Sequence, residues 1–170
     1  MNLNHNSMKT AFLTLLIVSL GFSAFSQTFP PIDNVTMTTK EDYRAKDSLA
    51  LQVANYVLST PSNEKSVDRL SATSFLLKWM DGTPDYSFEL GQNVLQYFQK
   101  DIDLMSVYMA CMTAYALQSH AKDSKAITLN AVKLFVAYID KGSNNVKMTG
   151  KLKKLSEANQ KGELESFLKL

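Results

Sequence analysis

Leu104-Met105-Ser106-Val107-Tyr108-Met109-Ala110-Cys111-Met112-Thr113-Ala114-Tyr115-Ala116-Leu117-Gln118-Ser119 is the stretch that decides the fold. It carries no charge, and its apolar residues fall on every side of a 3.6-residue helix. A helix that is apolar all round is covered by other helices. At about 16 residues it is also short for a bilayer, which asks for about 20. The stretch therefore predicts a buried central helix in a water-soluble assembly, started by Asp101 or Asp103 as N-cap.

Working outward toward the N-terminus, Thr39-Lys40-Glu41-Asp42 has capping-box spacing. It opens a first helix with Tyr43, Ala50, Val53, Ala54 and Val57 on one face, stopped at Ser59-Thr60-Pro61. A second helix is predicted over 63–80, with Ala72, Phe75, Leu76, Trp79 and Met80 as its stripe. Val67, Leu70 and Leu77 widen that face. Asp81-Gly82-Thr83-Pro84-Asp85 is the strongest break in the chain, a C′ glycine followed by proline. A shorter helix is expected over 87–100, with Phe88, Gly91, Val94, Leu95 and Phe98 to one side.

Toward the C-terminus, Ile127, Ala131, Leu134, Phe135 and Tyr138 mark a fifth helix over 124–141, ending at Gly142. Val146, Met148, Leu152 and Leu155 suggest a sixth, and Leu164, Phe167 and Leu168 a last short one after Gly162. No segment alternates like a half-buried strand. The expectation is an all-α fold of six or seven antiparallel helices joined by short loops. Two arrangements fit: stacked helical hairpins, tetratricopeptide-like, or a compact bundle. No proline or Trp-Leu-Gly pattern recurs at a period near 34 to mark a repeat.

The first residues read differently. Lys9 precedes the uncharged run from Ala11 to Phe25, and Ala24 and Ser26 suit the positions before a signal-peptidase cut. Residues 1–26 read as a cleaved signal peptide with translation starting at Met1 or Met8, residues 27–38 as an extended or mobile lead-in with Pro30-Pro31, and residues 39–170 as the helical domain. The interrupted run is too short for a retained anchor, so no membrane span is expected after cleavage. Export to the periplasm or beyond follows.

The chain has 170 residues and a net charge of +2, which suggests no nucleic-acid partner. Charge is uneven: residues 27–140 hold 10 basic and 13 acidic residues, and residues 141–170 hold 7 lysines and 3 glutamates. A single cysteine, Cys111, allows no internal disulfide, so packing has to hold the domain together. One histidine past the leader, His120, and one cysteine cannot make the usual zinc site. On a continuous helix they lie about 13 Å apart along the axis, too far to act as a nucleophile–base pair.

Other chemical patterns are explained by helix ends and turns. Ser62 to Lys65 and Ser166 to Lys169 share the Ser-x-x-Lys spacing of penicillin-recognising enzymes, without the companion motifs. Asp101 with Asp103, and Asp81 with Asp85, could serve as the paired carboxylates of a hydrolase, yet sit where caps and turns want aspartate. No phosphate-binding glycine loop exists and no cofactor is implied. Met105, Met109 and Met112 share a helix face that could line a pocket for an apolar small molecule, or simply fill the core.

The richest surface candidate is Trp79-Met80-Asp81-Gly82-Thr83-Pro84-Asp85-Tyr86. Trp79, Asp81, Asp85 and Tyr86 gather an indole, a phenol and two carboxylates on one connection, the composition of a binding anchor. With Arg69, Phe75-Leu76-Leu77-Lys78 and the leader ending Phe25-Ser26-Gln27, the stretch resembles small exported all-helical proteins of Bacteroidetes-type bacteria. That resemblance implies location and a helical fold and brings no activity, ligand or site residue. The expected function is a non-enzymatic, exported protein-interaction domain whose partner is another envelope or secreted protein. A carrier of an apolar molecule and a hydrolase are the alternatives.

Overall fold

A computed structural model describes residues 28–98 and 101–170, so the leader expected over 1–26 lies outside the described residues. Among those residues the chain is all-helical and contains no strand. Eight α-helices follow one another: α1 Lys40–Arg44, α2 Asp47–Ser59, α3 Val67–Gly82, α4 Gln92–Leu95, α5 Ile102–Ser119, α6 Ser124–Asp140, α7 Gly150–Gln160 and α8 Leu164–Leu168. A short 3-10 turn, Gly142–Asn144, lies between α6 and α7. No helix in the described residues is long and apolar enough to cross a membrane.

The uncharged stretch forms α5, and α2, α3 and α6 pack around it. Val107, Tyr108, Ala110, Cys111 and Met112 are fully or almost fully buried there. Two helix pairs, α2–α3 and α5–α6, close on this axis, and α7 lies against α6. Phe98, Tyr108 and Phe135 form an aromatic cluster at its centre, with ring centroids 4.9 to 6.3 Å apart. Such pairs add to the hydrophobic burial that stabilises the domain.

Side-chain caps start five of the eight helices. Thr39 and Asp42 make a reciprocal capping box at α1. Ser66, Asp101, Asp123 and Thr149 each accept from the backbone amide three residues on, starting α3, α5, α6 and α7. Asp101, not Asp103, is therefore the N-cap of α5. At the end of α7, Gly162 takes φ +72°, which lets Glu163 N–H reach Ala158 C=O and closes the last turn.

Three expectations are corrected by packing. The first helix is two, broken at Ala45 and Lys46, which lets Tyr43 lie over Gly82 and Arg44 reach Asp85 beyond α3. Gly82 is the last residue of α3 rather than a left-handed C′ residue; its missing side chain makes room for the Tyr43 ring. The helix expected over 87–100 shrinks to α4, because Tyr86 and Phe88 both lie on Trp79, an arrangement of residues two apart that a helix cannot make. The lead-in, expected to be extended or mobile, contains no helix from residue 28 to 38 and packs on the body: Met37 is buried and Phe29 lies edge-on to Tyr56 at 5.1 Å.

Candidate functional site

The helix α3 positions an exposed apolar row and the two clefts at its ends. Arg69, Ala72, Phe75, Leu76 and Trp79 turn inward. Val67, Leu70 and Leu77 point out, 74%, 58% and 53% exposed, with the exposed Ser74 among them. These three do not widen the core stripe; the core-facing side is already filled by Leu76 and Trp79, which have no exposure at all. Apolar side chains that line up on one exposed helix face mark a surface suited to a partner.

At the N-terminal end of this face a cleft of about 330 Å³ lies between α3 and the start of α5. Asn63, Glu64, Ser66, Arg69, Leu70, Thr73, Ile102 and Asp103 line it. Arg69 grips Asp103 through Nε and Nη2, at 2.6 and 3.1 Å. Its Nη1 donates to the Val57 and Thr60 carbonyls and to Thr60 Oγ1, at 2.9, 3.2 and 2.8 Å. Ser62 Oγ donates to Asp103 Oδ2 at 2.6 Å, and Tyr138 OH to the Thr60 carbonyl at 2.8 Å. Burial raises the Tyr138 phenol above its ordinary value, so it stays a neutral donor.

This network ties the end of α2, the loop after it, α3, α5 and α6 together through charge-assisted bonds. Chemically it is a clamp. The Ser62 hydroxyl meets a carboxylate that is already claimed by a guanidinium. His120, the only histidine in the described residues, sits exposed at the far end of α5 in a left-handed C-cap. Ser62 also lies in the loop before α3, so Lys65 is not one helical turn away from it.

No family model matches the chain, and neither a curated protein nor a solved structure shows significant similarity to it. The site is therefore read from its own residues.

At the C-terminal end of α3 the expected anchor residues divide. Trp79 is fully buried and donates from Nε1 to Asp47 Oδ1 at 3.2 Å. It cannot itself touch a partner; it supports those that can. Tyr86 and Phe88 rest on it, with centroids at 6.1 and 5.9 Å. Asp85 is engaged by Arg44 Nε at 2.8 Å, which holds its carboxyl below the usual range. Asp81 stands exposed. A groove of about 430 Å³ runs beside them, lined by Leu77, Met80, Asp81, Thr83, Tyr86, Ser87, Phe88 and Leu90. Thr83 is 8% exposed, and its Oγ1 has no hydrogen-bond partner among the described residues.

The methionine face divides too. Met109 and Met112 are buried in α5, and Met105 is half-buried. Neither the cleft nor the groove beside α3 is lined by any of the three.

Sequence reasoning missed the Arg69–Asp103 clamp and the exposure of Val67, Leu70 and Leu77. One signal for the clamp was present: Arg69 shares a helical face with Ala72, Leu76 and Trp79, so its charge had to be buried with a partner.

Proposed function

We propose that this chain is an exported, non-enzymatic helical domain that binds another envelope or secreted protein through the outer face of α3 and the connection after it. The observation that carries the reading is the row of Val67, Leu70 and Leu77, each more than half exposed on one side of a single helix. Ile102, 69% exposed, extends that row across the mouth of the Arg69 cleft, which it lines together with Leu70. Isolated exposed leucines are ordinary, but a contiguous set rimmed by Glu64, Lys78 and Asp81 resembles an interface core with a polar rim. The leader read over residues 1–26 supports export.

The test is site-specific photo-crosslinking in cells from a reactive residue placed at 70 or 77, with position 161 on the far lysine-rich end as control. Discrete heavier adducts are expected from 70 and 77 and not from 161. They should vanish when Ile102 and Val67 are changed to Glu, substitutions that leave melting almost unchanged because both side chains are exposed. Adducts from all three positions alike, or from none, would remove the reading.

A further inference from the structure

The connection between α3 and α4 has an unusual state for a segment held so firmly. Tyr86 and Phe88 both lie on the Trp79 ring. Residues two apart share a face in an extended chain and not on a helix. The flanking residues Thr83 and Gly91 are themselves extended, with ψ of 129° and 144°. Glu89, one residue past Phe88, takes a hydrogen bond from Ser124 Oγ at 2.7 Å. Yet among the described residues no backbone N–H or C=O from Asp85 to Leu90 makes a hydrogen bond. A side-chain-pinned strip outside any helix, whose backbone bonds to nothing among the described residues, is as open to pairing as the edge of a sheet.

We propose that residues Tyr86 to Leu90 are a docking edge that a partner's extended peptide joins by strand addition, with one large apolar side chain seated in the adjoining groove and a basic residue beside it. The inference rests on the protein-binding reading above and names the form the partner takes. Backbone pairing supplies affinity in this mode, and pockets for alternate side chains supply selectivity. Five residues give an edge of about 17 Å, an ordinary strand length.

The groove supplies the rest of the match. Leu77, Phe88 and Leu90 offer it apolar walls, and Thr83, whose buried Oγ1 has no hydrogen-bond partner among the described residues, lines it too. A buried hydroxyl without a hydrogen bond is costly, so an incoming backbone or side-chain group that satisfies it is favoured. The charge at the rim is selective. Asp85 is engaged by Arg44 and Glu89 by Ser124, which leaves Asp81 as the exposed carboxylate of the groove. A basic residue two or three positions from the seated side chain is the complement.

The test uses the full chain, lead-in included. A random peptide library displayed on phage is selected on this protein and counter-selected on the variant carrying Leu77→Lys and Leu90→Lys, both exposed positions. Enriched peptides are expected to alternate large apolar residues and to carry a lysine or arginine. Bound peptide should slow hydrogen exchange at alternate amides of residues 86–90 about tenfold or more. N-methylating one alternate set of peptide amides should weaken binding about tenfold, and the other set should have little effect. Thr83→Val keeps the shape and should weaken binding severalfold without lowering stability.

Failure to enrich any peptide overturns the proposal. So does an enriched peptide that protects other amides, or that binds equally well in both N-methylated forms. Crosslinks from positions 70 and 77 that persist in any of these cases would leave the protein-binding reading standing while the strand edge falls.

Discussion

Arg69 and Asp103 meet across 34 residues of sequence with Nε 2.6 Å from Oδ1, and their side chains are 3% and 4% exposed. Taking two charges out of water costs several kcal/mol each, and only a fully satisfied arrangement offsets it. Here Ser62 takes up a second lone pair of the carboxylate, and Thr60 and Val57 take up the remaining guanidinium side. Removing one member leaves the other charged, buried and alone. Asp103→Ala and Arg69→Met should each cost about 3–5 kcal/mol. The double variant Arg69→Met with Asp103→Ala should lose much less than the two single losses together. Urea unfolding of the four proteins measures this; strictly additive losses would show that the pair is not coupled.

Trp79 is held by one polar contact, the 3.2 Å bond from its indole N–H to Asp47. Burial raises the Asp47 carboxyl above its ordinary value, and the indole bond works against that rise. For an acid whose folded pKa is raised, stability falls as pH climbs from below the usual value of about 3.9 through the raised one. Trp79→Phe deletes the donor that favours the charged form, so the rise grows. The substitution should cost about 2 kcal/mol at neutral pH, from lost volume and the orphaned carboxylate. The loss should be smaller near pH 3, where Asp47 is protonated. Denaturant unfolding at both pH values decides it: an equal loss at each would separate Trp79 from Asp47.

Much of the architecture was legible because α5 announces itself. An uncharged stretch with apolar residues on all sides can only be central, and the caps around it are local signals that read true at Thr39 and at Asp101. What failed was long-range. The stripe chosen for α3 included Val67, Leu70 and Leu77, because periodicity cannot say how wide a face neighbours will cover when nearly every residue is apolar. The helix expected after Pro84 gave way because Trp79 offers Tyr86 and Phe88 a common surface, which residues two apart on a helix cannot share. Of the candidate site, Asp81 and Tyr86 were singled out by composition, since aromatic and acidic residues at a break suggest a surface, and both line the groove after α3. Trp79 was found for the same reason but serves underneath that surface, a distinction set by burial.

Asp42 carries the acid sensitivity of the N-terminal corner. Its Oδ2 accepts from the amides of Thr39 and Thr38, at 2.8 and 3.0 Å, and from Thr38 Oγ1 at 2.9 Å. The Thr39 amide is the largest influence, and together these bonds hold the carboxyl far below its usual range. A depressed folded pKa contributes stability above the unfolded value of about 3.9, and that contribution is lost as pH falls below it. Asp42→Ala should therefore melt at lower temperature than the parent at pH 6 to 7. The two curves should converge as pH drops from about 4 toward 2. A gap that stays constant with pH would detach this capping box from the acid limb.

Cys111 gives a direct readout of the core. It lies in the middle of α5 with no exposed surface, and burial pushes its thiol well above the ordinary range. Alkylation needs the thiolate in contact with reagent, so the native state should be inert to iodoacetamide near pH 8 and react only when the helices around α5 open. If opening is fast relative to alkylation, the labelling rate follows the equilibrium population of open molecules. Every variant that loses stability globally should then label faster in proportion. Asp103→Ala, losing about 3 kcal/mol, should speed labelling roughly a hundredfold. Leu77→Lys changes an exposed face and should leave the rate almost unmoved. Mass spectrometry of timed, acid-quenched samples measures both. Native-state labelling at the rate of a free thiol would mean that α5 is not the sealed axis on which the other helices close.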